Sequence, residues 1–292
     1  MSEPVNCTVI VPVFKALEAL QRLIAGLDRT LPAAQPVLFC DDASPDDDVR
    51  QLLNELATRV RFKARVVRRE HNLGFVGNVN RAFDETAGTD VVLLNSDTVP
   101  AAGWLHRLRQ CLDSDARIAT ATPWSNNAEI CSLPHLCRPG PIPDDLDRWA
   151  QACSEACHGE YPQLPTGVGF AMAIRREALD RIGGFDAATF GRGYGEENDF
   201  CLRAEGHGYR NVLCADAFVA HEGGASFGPE GLAPGGGNLA RLLARYPDYN
   251  RRVAQFIMDD PLQPLRARIL QRYVTLASGC ADATALQGSL FD

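Results

Sequence analysis

The fold is decided by the stretch Val91-Val92-Leu93-Leu94-Asn95-Ser96-Asp97-Thr98, in which four apolar residues precede a short polar cluster with one carboxylate. Such an apolar run is typical of a buried strand in a parallel sheet. Open α/β sheets bind ligands at the carboxyl ends of their strands, where this acid lies. Asp97 is therefore a candidate ligand of a hard divalent cation. The alternative is that it caps a turn or the helix beginning near Trp104.

Strand and helix patterns alternate on both sides of this stretch. Strands are predicted at 7–13, 37–40, 65–68 and 91–94, and helices at 16–27, 45–56, 76–87 and 104–112. Further on, the patterns predict a helix at 146–156 within long loops at 123–165, a strand at 167–174, helices at 176–182 and 196–206, and a last strand at 212–220. This alternation predicts an α/β fold with a doubly wound, mostly parallel central sheet flanked by helices.

The C-terminal quarter has a different pattern. Residues 228–237 form a glycine-rich breaker, 238–273 carry two helical segments with many arginines, and about the last fifteen residues are expected to be disordered. A small C-terminal helical extension is therefore predicted after the α/β part.

Composition excludes several classes of protein. The chain has 292 residues, of which 46 % are hydrophobic, and a net charge of −8. This charge argues against a protein whose main role is binding nucleic acid or anionic lipid. No apolar run approaches the roughly 18 residues that span a bilayer. The N-terminal residues lack a signal-peptide pattern, so a cytoplasmic location is expected.

The ten cysteines of the sequence do not form a recognisable framework. Disulfides are disfavoured in a cytosolic protein, and cysteines within apolar stretches read as small buried hydrophobes. Cys153, Cys157 and His158 resemble half of a metal site, but no second pair at zinc-finger spacing follows. A structural zinc site is therefore not favoured.

Four polar sites follow strands or open helices, and in a doubly wound sheet such positions can converge on one edge. They are Asp41 with Asp42, Asp97, Glu196 and Glu197 with Asp199, and His221. Each alone is as easily explained by helix capping or by surface exposure. Their joint arrangement indicates an enzyme.

Several segments of the sequence match the motifs of one known family in order and spacing. They are Val9–Phe14, Asp41–Ser44, Asn72–Phe75 with Asn80, Asn95–Asp97, Gly195–Arg203, and His221 with Ser226. With these pieces the chain resembles inverting family-2 glycosyltransferases of the GT-A fold, and within them bacterial rhamnosyltransferase-like members that build surface polysaccharide. The resemblance covers roughly residues 6–228. It implies a GT-A domain at 1–228, with a nucleotide-binding half (1–100) and an acceptor and catalytic half (101–228), and an extension at 229–292.

The resemblance implies a nucleoside-diphosphate-sugar donor carrying UDP or dTDP, and a glycan or lipid-linked glycan hydroxyl as acceptor. Asp41 or Asp42, with Asp42 preferred, would accept a hydrogen bond from the base or ribose; a carboxylate suits a uracil or thymine imide N–H. The residues expected to line the donor pocket are Pro12, Phe14, Asn72, Gly74, Asn80, Asn95, Ser96, Gly167 and Gly169.

The resemblance also implies a divalent metal and a catalytic base. Asp97 matches the last acid of the family's DXD-type motif, with Asn95 in place of the first acid, and His221 matches a further ligand of Mn²⁺ or Mg²⁺. Imidazole beside oxygen ligands suits Mn²⁺ better. Glu197 matches the base, with Glu196 and Asp199 as further candidates. Arg203 is expected to pair with one of these acids.

Several alternatives stay open at this point. The loop 167–170 and Trp124 could shape the sugar pocket or simply pack in the core. The C-terminal arginines could contact a membrane or a neighbouring domain, although a solvated face of packed helices is favoured. A nucleotide-sugar-binding protein without turnover is a second function. A glycoside hydrolase would need two carboxylates flanking one bond and no diphosphate site, and the combination of Asp97 with His221 argues against it. A dinucleotide oxidoreductase is weaker still, because no Gly-x-Gly-x-x-Gly follows the first strand.

Overall fold

The fold is organised around one mixed sheet. The computed structural model describes residues 3–191, 193–223 and 237–278. The strands in these residues are β1 (Thr8–Val13), β2 (Pro36–Asp41), β3 (Lys63–Arg68), β4 (Val91–Leu94), β5 (Thr98–Pro100), β6 (Ile118–Trp124), β7 (Ala171–Ile174) and β8 (Arg210–His221). The helices are α1 (Leu17–Thr30), α2 (Asp47–Arg59), α3 (Gly74–Glu85), α4 (Trp104–Ser114), α5 (Leu146–Ala156), α6 (Arg176–Ile182), α7 (Ala187–Phe190), α8 (Glu196–Gly206), α9 (Gly237–Arg245), α10 (Tyr249–Asp259) and α11 (Gln263–Ser278).

The order of strands across the sheet is β3-β2-β1-β4-β7-β6-β8-β5. Strands β1 to β4 pair in parallel, and β6 pairs in parallel with β8. Strand β7 runs antiparallel between β4 and β6, and β5 runs antiparallel to β8. The predicted α/β fold with a mostly parallel, helix-flanked sheet is therefore confirmed, and the antiparallel strands are an addition to the prediction.

Strand β4 lies at the centre of the sheet for the reason that its sequence suggests. All four of its residues are buried. Val92 and Leu94 belong to the hydrophobic cluster on one face of the sheet, whereas Val91 and Leu93 belong to the cluster on the other. Alternate side chains of a strand point to opposite faces, so a strand covered on both sides must be apolar at every position.

Two strands were not predicted. Strand β5 has three residues, and β6 reads Ile-Ala-Thr-Ala-Thr-Pro-Trp, with small and polar residues among the apolar ones. All seven residues of β6 are buried between β7 and β8. Small side chains fit because neighbouring elements supply the bulk, which a local pattern cannot reveal.

The C-terminal part contains three helices, α9, α10 and α11, where two helical segments were predicted. We call these three helices the C-terminal extension. The predicted breaker at 228–237 lies outside the described residues up to 236, as do Ser226 and the tail from residue 279, so the structure does not test those predictions.

The C-terminal extension packs on the α/β part. Tyr273 of α11 stacks on Trp149 of α5 with ring centroids 4.2 Å apart. Its arginines form ion pairs with acids of the α/β part: Arg245 with Asp199, Arg252 with Glu205, Arg268 with Glu160, and Arg272 with Glu155. This pairing favours the packed-helix interpretation of the arginines over membrane docking. Across the part of the chain that the structure describes, no helix has the length and apolarity needed to cross a membrane.

Candidate active site

The sheet brings Asp97 and His221 together. Asp97 follows β4, His221 ends β8, and antiparallel pairing of β5 with β8 places Thr98 opposite His221. The imidazole Nε2 lies 3.4 Å from Asp97 Oδ1. The alternative that Asp97 caps the helix near Trp104 is wrong, because the residue preceding α4 is Gly103 and no side chain caps that helix.

The orientation of the His221 ring is fixed by its neighbours. Its Nδ1–H donates to the carbonyl oxygen of Asn127 at 2.7 Å, and the ring stacks on Phe170 with centroids 5.1 Å apart. Nε2 therefore faces Asp97, and it is the ring nitrogen that can ligate a metal when it carries no proton. Burial disfavours the charged ring, but the hydrogen bond and negative charge of Asp97 outweigh burial and raise the pKa of His221.

The side chains present fit a divalent cation. Two ligand atoms 3.4 Å apart can share one cation. Asn95 Oδ1 is buried and has no hydrogen-bond partner, so it is a third candidate ligand atom. Among the described residues, no three His, Cys, Asp or Glu side chains are grouped to hold a metal ion. A cation here would therefore need additional ligands from a substrate.

The candidate base residues open helix α8. Glu197 Oε2 accepts a hydrogen bond from the Gly195 N–H at 3.2 Å. Glu196 is 5 % exposed, and its Oε2 has no hydrogen-bond partner. Burial raises the pKa of both carboxyl groups, and for Glu196 the charge of Glu197 raises it further. A carboxylate with a raised pKa is a better proton acceptor near neutral pH.

Asp199 has a different environment. Its carboxylate is fully buried and accepts hydrogen bonds from Arg203 Nε at 2.7 Å, Arg245 Nη1 at 2.5 Å and Tyr246 Oη at 3.2 Å. The predicted pairing of Arg203 with one of the acids is therefore observed. Both oxygens of this carboxylate are taken by arginines, so it is poorly placed to accept a proton from an acceptor hydroxyl.

The loop between residues 166 and 170 connects the two groups of candidate residues. A Cβ atom added to Gly169 would lie 3.6 Å from Glu197 Cγ. Next to it, the Phe170 carbonyl accepts from the Asn95 N–H at 2.8 Å. Burial raises the pKa of Tyr194, as do the charges of nearby acids, which include Glu197 and Asp97. The candidate base and the candidate metal ligands thus face one region.

The predicted nucleotide-binding acids Asp41 and Asp42 lie together at the end of β2. Asp41 Oδ1 accepts from the Ser44 N–H at 2.9 Å, and its Oδ2 pairs with Arg68. Asp42 Oδ1 accepts from the Leu73 N–H at 2.7 Å, and the Asn72 amide donates to the Asp42 carbonyl at 3.3 Å. Burial raises the pKa of Asp42.

The remaining predicted donor-pocket residues are spread over the same half of the sheet. Pro12 lies in β1 opposite Cys40, and the chain turns through left-handed backbone at Lys15 just after Phe14. Gly74 has a φ of 73° at the start of α3. Ser96 is buried between Asn95 and Asp97.

Two predicted pocket residues make contacts that hold the backbone. Asn80 donates to the Phe185 carbonyl and accepts from the Phe185 N–H, both at 2.8 Å. A Cβ atom on Gly167 would lie 3.0 Å from Met172 Sδ. Trp124 is fully buried, and its indole N–H donates to the Ala215 carbonyl at 3.1 Å, so it packs in the core.

Several residues near the site were not singled out from the sequence. Asn126 Oδ1 accepts from the His221 N–H and its Nδ2 donates to the His221 carbonyl, both at 2.9 Å. Glu129 has a left-handed φ of 49°, and its charge raises the pKa of Glu197. Both follow β6, the strand that the sequence pattern did not reveal. Without a predicted strand ending before them, nothing in the sequence indicated that they lie at the sheet edge.

Solved structures with a similar fold are glycosyltransferases. GalNAc-T7 with UDP, GalNAc and Mn²⁺ aligns with a TM-score of 0.64 at 15 % identity, over 99 % of this chain and 59 % of that one. The mannosyltransferase PcManGT from Pyrobaculum calidifontis, in complex with GDP-Man and Mn²⁺, aligns with a TM-score of 0.54 at 16 % identity, over 98 % and 79 %. S. aureus TarS 1-349 with UDP-GlcNAc gives 0.55 at 15 %, over 93 % and 81 %. At such identities the likeness shows the fold alone.

Sequence comparison gives the family. Uncharacterized proteins of Mycobacterium tuberculosis and Mycobacterium bovis are 26 % identical over 223 residues, which is 75 % of this chain and 75 % of each relative. The sequence model described as "Glycosyl transferase family 2" matches residues 8–183, more than half of the 292 residues. The chain therefore belongs to glycosyl transferase family 2, and its fold is that of the GT-A glycosyltransferases.

Proposed function

We propose that this protein transfers a sugar from a nucleoside-diphosphate-sugar donor to a hydroxyl group of an acceptor, with inversion and with a divalent metal. The observation that carries the proposal is the cluster of Asp97 Oδ1 and His221 Nε2, 3.4 Å apart, beside the unpartnered Asn95 Oδ1. These three atoms form an incomplete coordination shell at the sheet edge where ligands of α/β proteins bind.

Asp97, His221 and Asn95 would hold Mn²⁺ or Mg²⁺, and the imidazole nitrogen favours Mn²⁺. When bound, the cation would neutralise the negative charge of the departing diphosphate. With one carboxylate and one imidazole, the chain offers few charges to a free cation. The affinity of the site for the cation should therefore depend on phosphate oxygens of the donor, as is usual for metal sites that bind nucleotides.

Glu197 would act as the general base, with Glu196 and Asp199 as the other candidates. The acceptor oxygen would attack the anomeric carbon while the bond from that carbon to the diphosphate oxygen breaks, and the diphosphate leaves with the electron pair. The hydroxyl proton passes to the Glu197 carboxylate. A single displacement of this kind inverts the anomeric centre. The raised pKa of Glu197 suits it to this role, whereas both carboxylate oxygens of Asp199 are already paired with arginines.

The donor nucleotide would bind at the ends of β1 and β2. Both carboxylate oxygens of Asp41 are already bonded, one to the Ser44 N–H and the other to Arg68. This favours Asp42 as the residue that recognises a base or ribose. A carboxylate that accepts from an imide N–H would select uracil or thymine, hence UDP- or dTDP-sugars. The other proposed donor contacts are Pro12, Phe14, Asn72, Gly74, Asn80, Ser96, Gly167 and Gly169.

The finer parts of the proposal rest on the sequence resemblance. They are a rhamnosyltransferase-like specificity, a glycan or lipid-linked acceptor, a role in surface polysaccharide synthesis, and a division into a catalytic domain (1–228) and an extension (229–292). An enzyme with such an acceptor would work at the cytoplasmic face of the inner membrane, in contact with the membrane or a neighbouring domain.

A second function is binding of a nucleotide sugar without turnover. It is favoured by Asn95, where the family pattern has an acid, and by Glu197, where the family pattern has Asp. A panel of nucleotide sugars should first be screened by thermal shift with Mn²⁺, because a ligand that binds only the folded state raises the melting temperature. Transfer and slow donor hydrolysis are then measured with and without Mn²⁺. Turnover that requires Mn²⁺ supports the transferase; donor binding with no turnover supports the second function.

A further inference from the structure

Tyr249, the first residue of α10, reaches from the C-terminal extension to the helix that carries the proposed base. Its hydroxyl donates to Asn198 Oδ1 at 2.7 Å. Asn198 directly follows Glu197 in α8. The extension is thus hydrogen-bonded to α8 one residue from the proposed base, as well as packed on the α/β part.

The side-chain amide of Asn198 is held from two sides. Besides Tyr249, the Thr166 hydroxyl donates to the same Oδ1 atom, also at 2.7 Å. A carbonyl oxygen has two lone pairs, so both acceptor positions of the amide are taken. The orientation of the amide is therefore fixed, and it can offer only the N–H groups of Nδ2. Among the described residues Nδ2 makes no hydrogen bond, and Asn198 is partly exposed.

These contacts lie beside Glu197. Thr166 begins the loop in which a Cβ atom added to Gly169 would lie 3.6 Å from Glu197 Cγ, so one loop passes close to both neighbouring residues of α8. The phenol of Tyr249 is in the same environment: burial raises its pKa, and the negative charge of Glu197 raises it further. The free N–H groups of Asn198 and the proposed base are thus held by shared neighbours.

We infer that Tyr249 is a positioning residue of the proposed transferase: with Thr166, it fixes the Asn198 amide so that its N–H groups donate to an oxygen of the acceptor sugar beside Glu197. The inference rests on the proposed function and extends it to the acceptor. It gives the C-terminal extension a part in acceptor binding, and the ligand it implies is a sugar with a hydroxyl or ring oxygen near the attacking hydroxyl.

Tyr246 offers a matched control. It belongs to the same extension, and its hydroxyl also bonds to α8, but its partner is Asp199 Oδ1 at 3.2 Å, which two arginines already hold. Tyr246→Phe and Tyr249→Phe therefore remove the same chemical group from the same extension and the same number of hydrogen bonds to α8. Only the second substitution removes a hydrogen bond to the Asn198 amide, which then keeps Thr166 as its donor.

The test measures two rates in the full chain, with Mn²⁺ and the donor found in the nucleotide-sugar screen. One rate is transfer to p-nitrophenyl glycosides screened as acceptors, and the other is donor hydrolysis by water. We expect Tyr249→Phe to lower kcat/KM for the glycoside about tenfold, since small misplacements of binding groups are costly, with hydrolysis unchanged. Asn198→Ala should lower transfer at least as much, and Tyr246→Phe should change neither rate.

A double mutant separates positioning from a general structural effect. If Tyr249 acts through Asn198, adding Tyr249→Phe to Asn198→Ala lowers transfer no further. Additive losses would overturn the inference, as would equal losses of transfer for Tyr246→Phe and Tyr249→Phe. An active parent protein whose Tyr249→Phe variant transfers normally refutes only this inference. A parent protein that neither hydrolyses nor transfers any nucleotide sugar refutes the proposed function and this inference together.

Discussion

The two ends of the candidate active site are built differently. The metal end, Asp97 with His221, lies on paired strands: Thr98 is opposite His221, and the Glu222 N–H donates to the Asp97 carbonyl at 3.0 Å. The base end, Glu196 with Glu197, opens a helix behind a glycine-rich turn in which Gly195 has a φ of 99°. Strand pairing places the first end, where the Asn126 side chain also holds the His221 backbone, whereas side-chain contacts fix the second.

This difference shows where the site can tolerate change. Sheet hydrogen bonds do not depend on side-chain identity, so substitutions near the metal end should alter ligand chemistry more than geometry. At the base end, buried carboxyl groups and neighbouring side chains set both position and pKa. Substitutions there should change geometry, ionisation and stability together.

The largest effect is expected at the metal end. Asp97→Ala should lower metal-dependent transfer about 10³-fold or more, because a metal that neutralises a leaving group supplies several kcal/mol. The melting temperature without metal should change little. Asp48→Ala, which alters an exposed acid in α2, is the matched control. Near-normal turnover of Asp97→Ala would remove Asp97 from the metal site.

The next largest effect is expected at the base end. Glu197→Gln should lower turnover by about 10²-fold or more, with donor affinity little changed, because a general base contributes that much. Asp199→Asn should instead lower the free energy of unfolding by about 2 kcal/mol, since it breaks a buried ion-pair cluster. Kinetics and chemical denaturation of both variants distinguish the roles. If Asp199→Asn abolished turnover while keeping stability, the base assignment would be wrong.

A smaller effect tests how rigidly the metal end is held. Asn126→Ala removes the side chain that bonds to both the N–H and the carbonyl of His221, so it should weaken Mn²⁺ binding in the presence of UDP about tenfold. Asn127→Ala keeps the backbone carbonyl that accepts from the His221 ring and serves as the control. Titration calorimetry measures both; equal affinities would mean that strand pairing alone positions His221.

The smallest effect concerns stability and pH. Because the pKa of Glu196 is raised in the folded state, the folded chain keeps a proton that the unfolded chain loses as pH rises above the ordinary glutamate range. Stability should therefore fall with rising pH in that window, by at most about 1.4 kcal/mol per pH unit for one proton. Glu196→Gln should flatten this dependence in denaturation curves at several pH values. If the slope of the unfolding free energy against pH stayed the same in Glu196→Gln, the pH dependence would belong to other groups.

The fold was predictable wherever local pattern and environment agreed. Strand β4 is apolar at every position because it is covered on both faces, and helix α6 was predicted with its observed bounds, Arg176–Ile182. Strand β6 was not predicted, because its Ala and Thr residues suit a strand only between β7 and β8. Non-local packing of this kind leaves no period in the sequence.

The candidate site was predictable to a similar degree. Asp97 and His221 meet because strand ends converge, which the pattern of strands implies. The sequence could not show that Asp199 is enclosed by Arg203 and Arg245, since Arg245 lies in the C-terminal extension. Nor could it show that Tyr249 reaches Asn198. Such contacts depend on where the helices of the C-terminal extension dock. The sequence of these helices does not indicate which part of the chain they pack against.

Formation of the candidate site depends on the register between β5 and β8. Asp97 and His221 are brought together only when the last strand of the sheet pairs with a three-residue strand more than a hundred residues earlier in the chain. A slip of one residue would turn the imidazole to the opposite face of the sheet. The two candidate metal ligands therefore meet only in this register, and a chain that misaligned these two strands would keep the rest of the sheet but lose the pair.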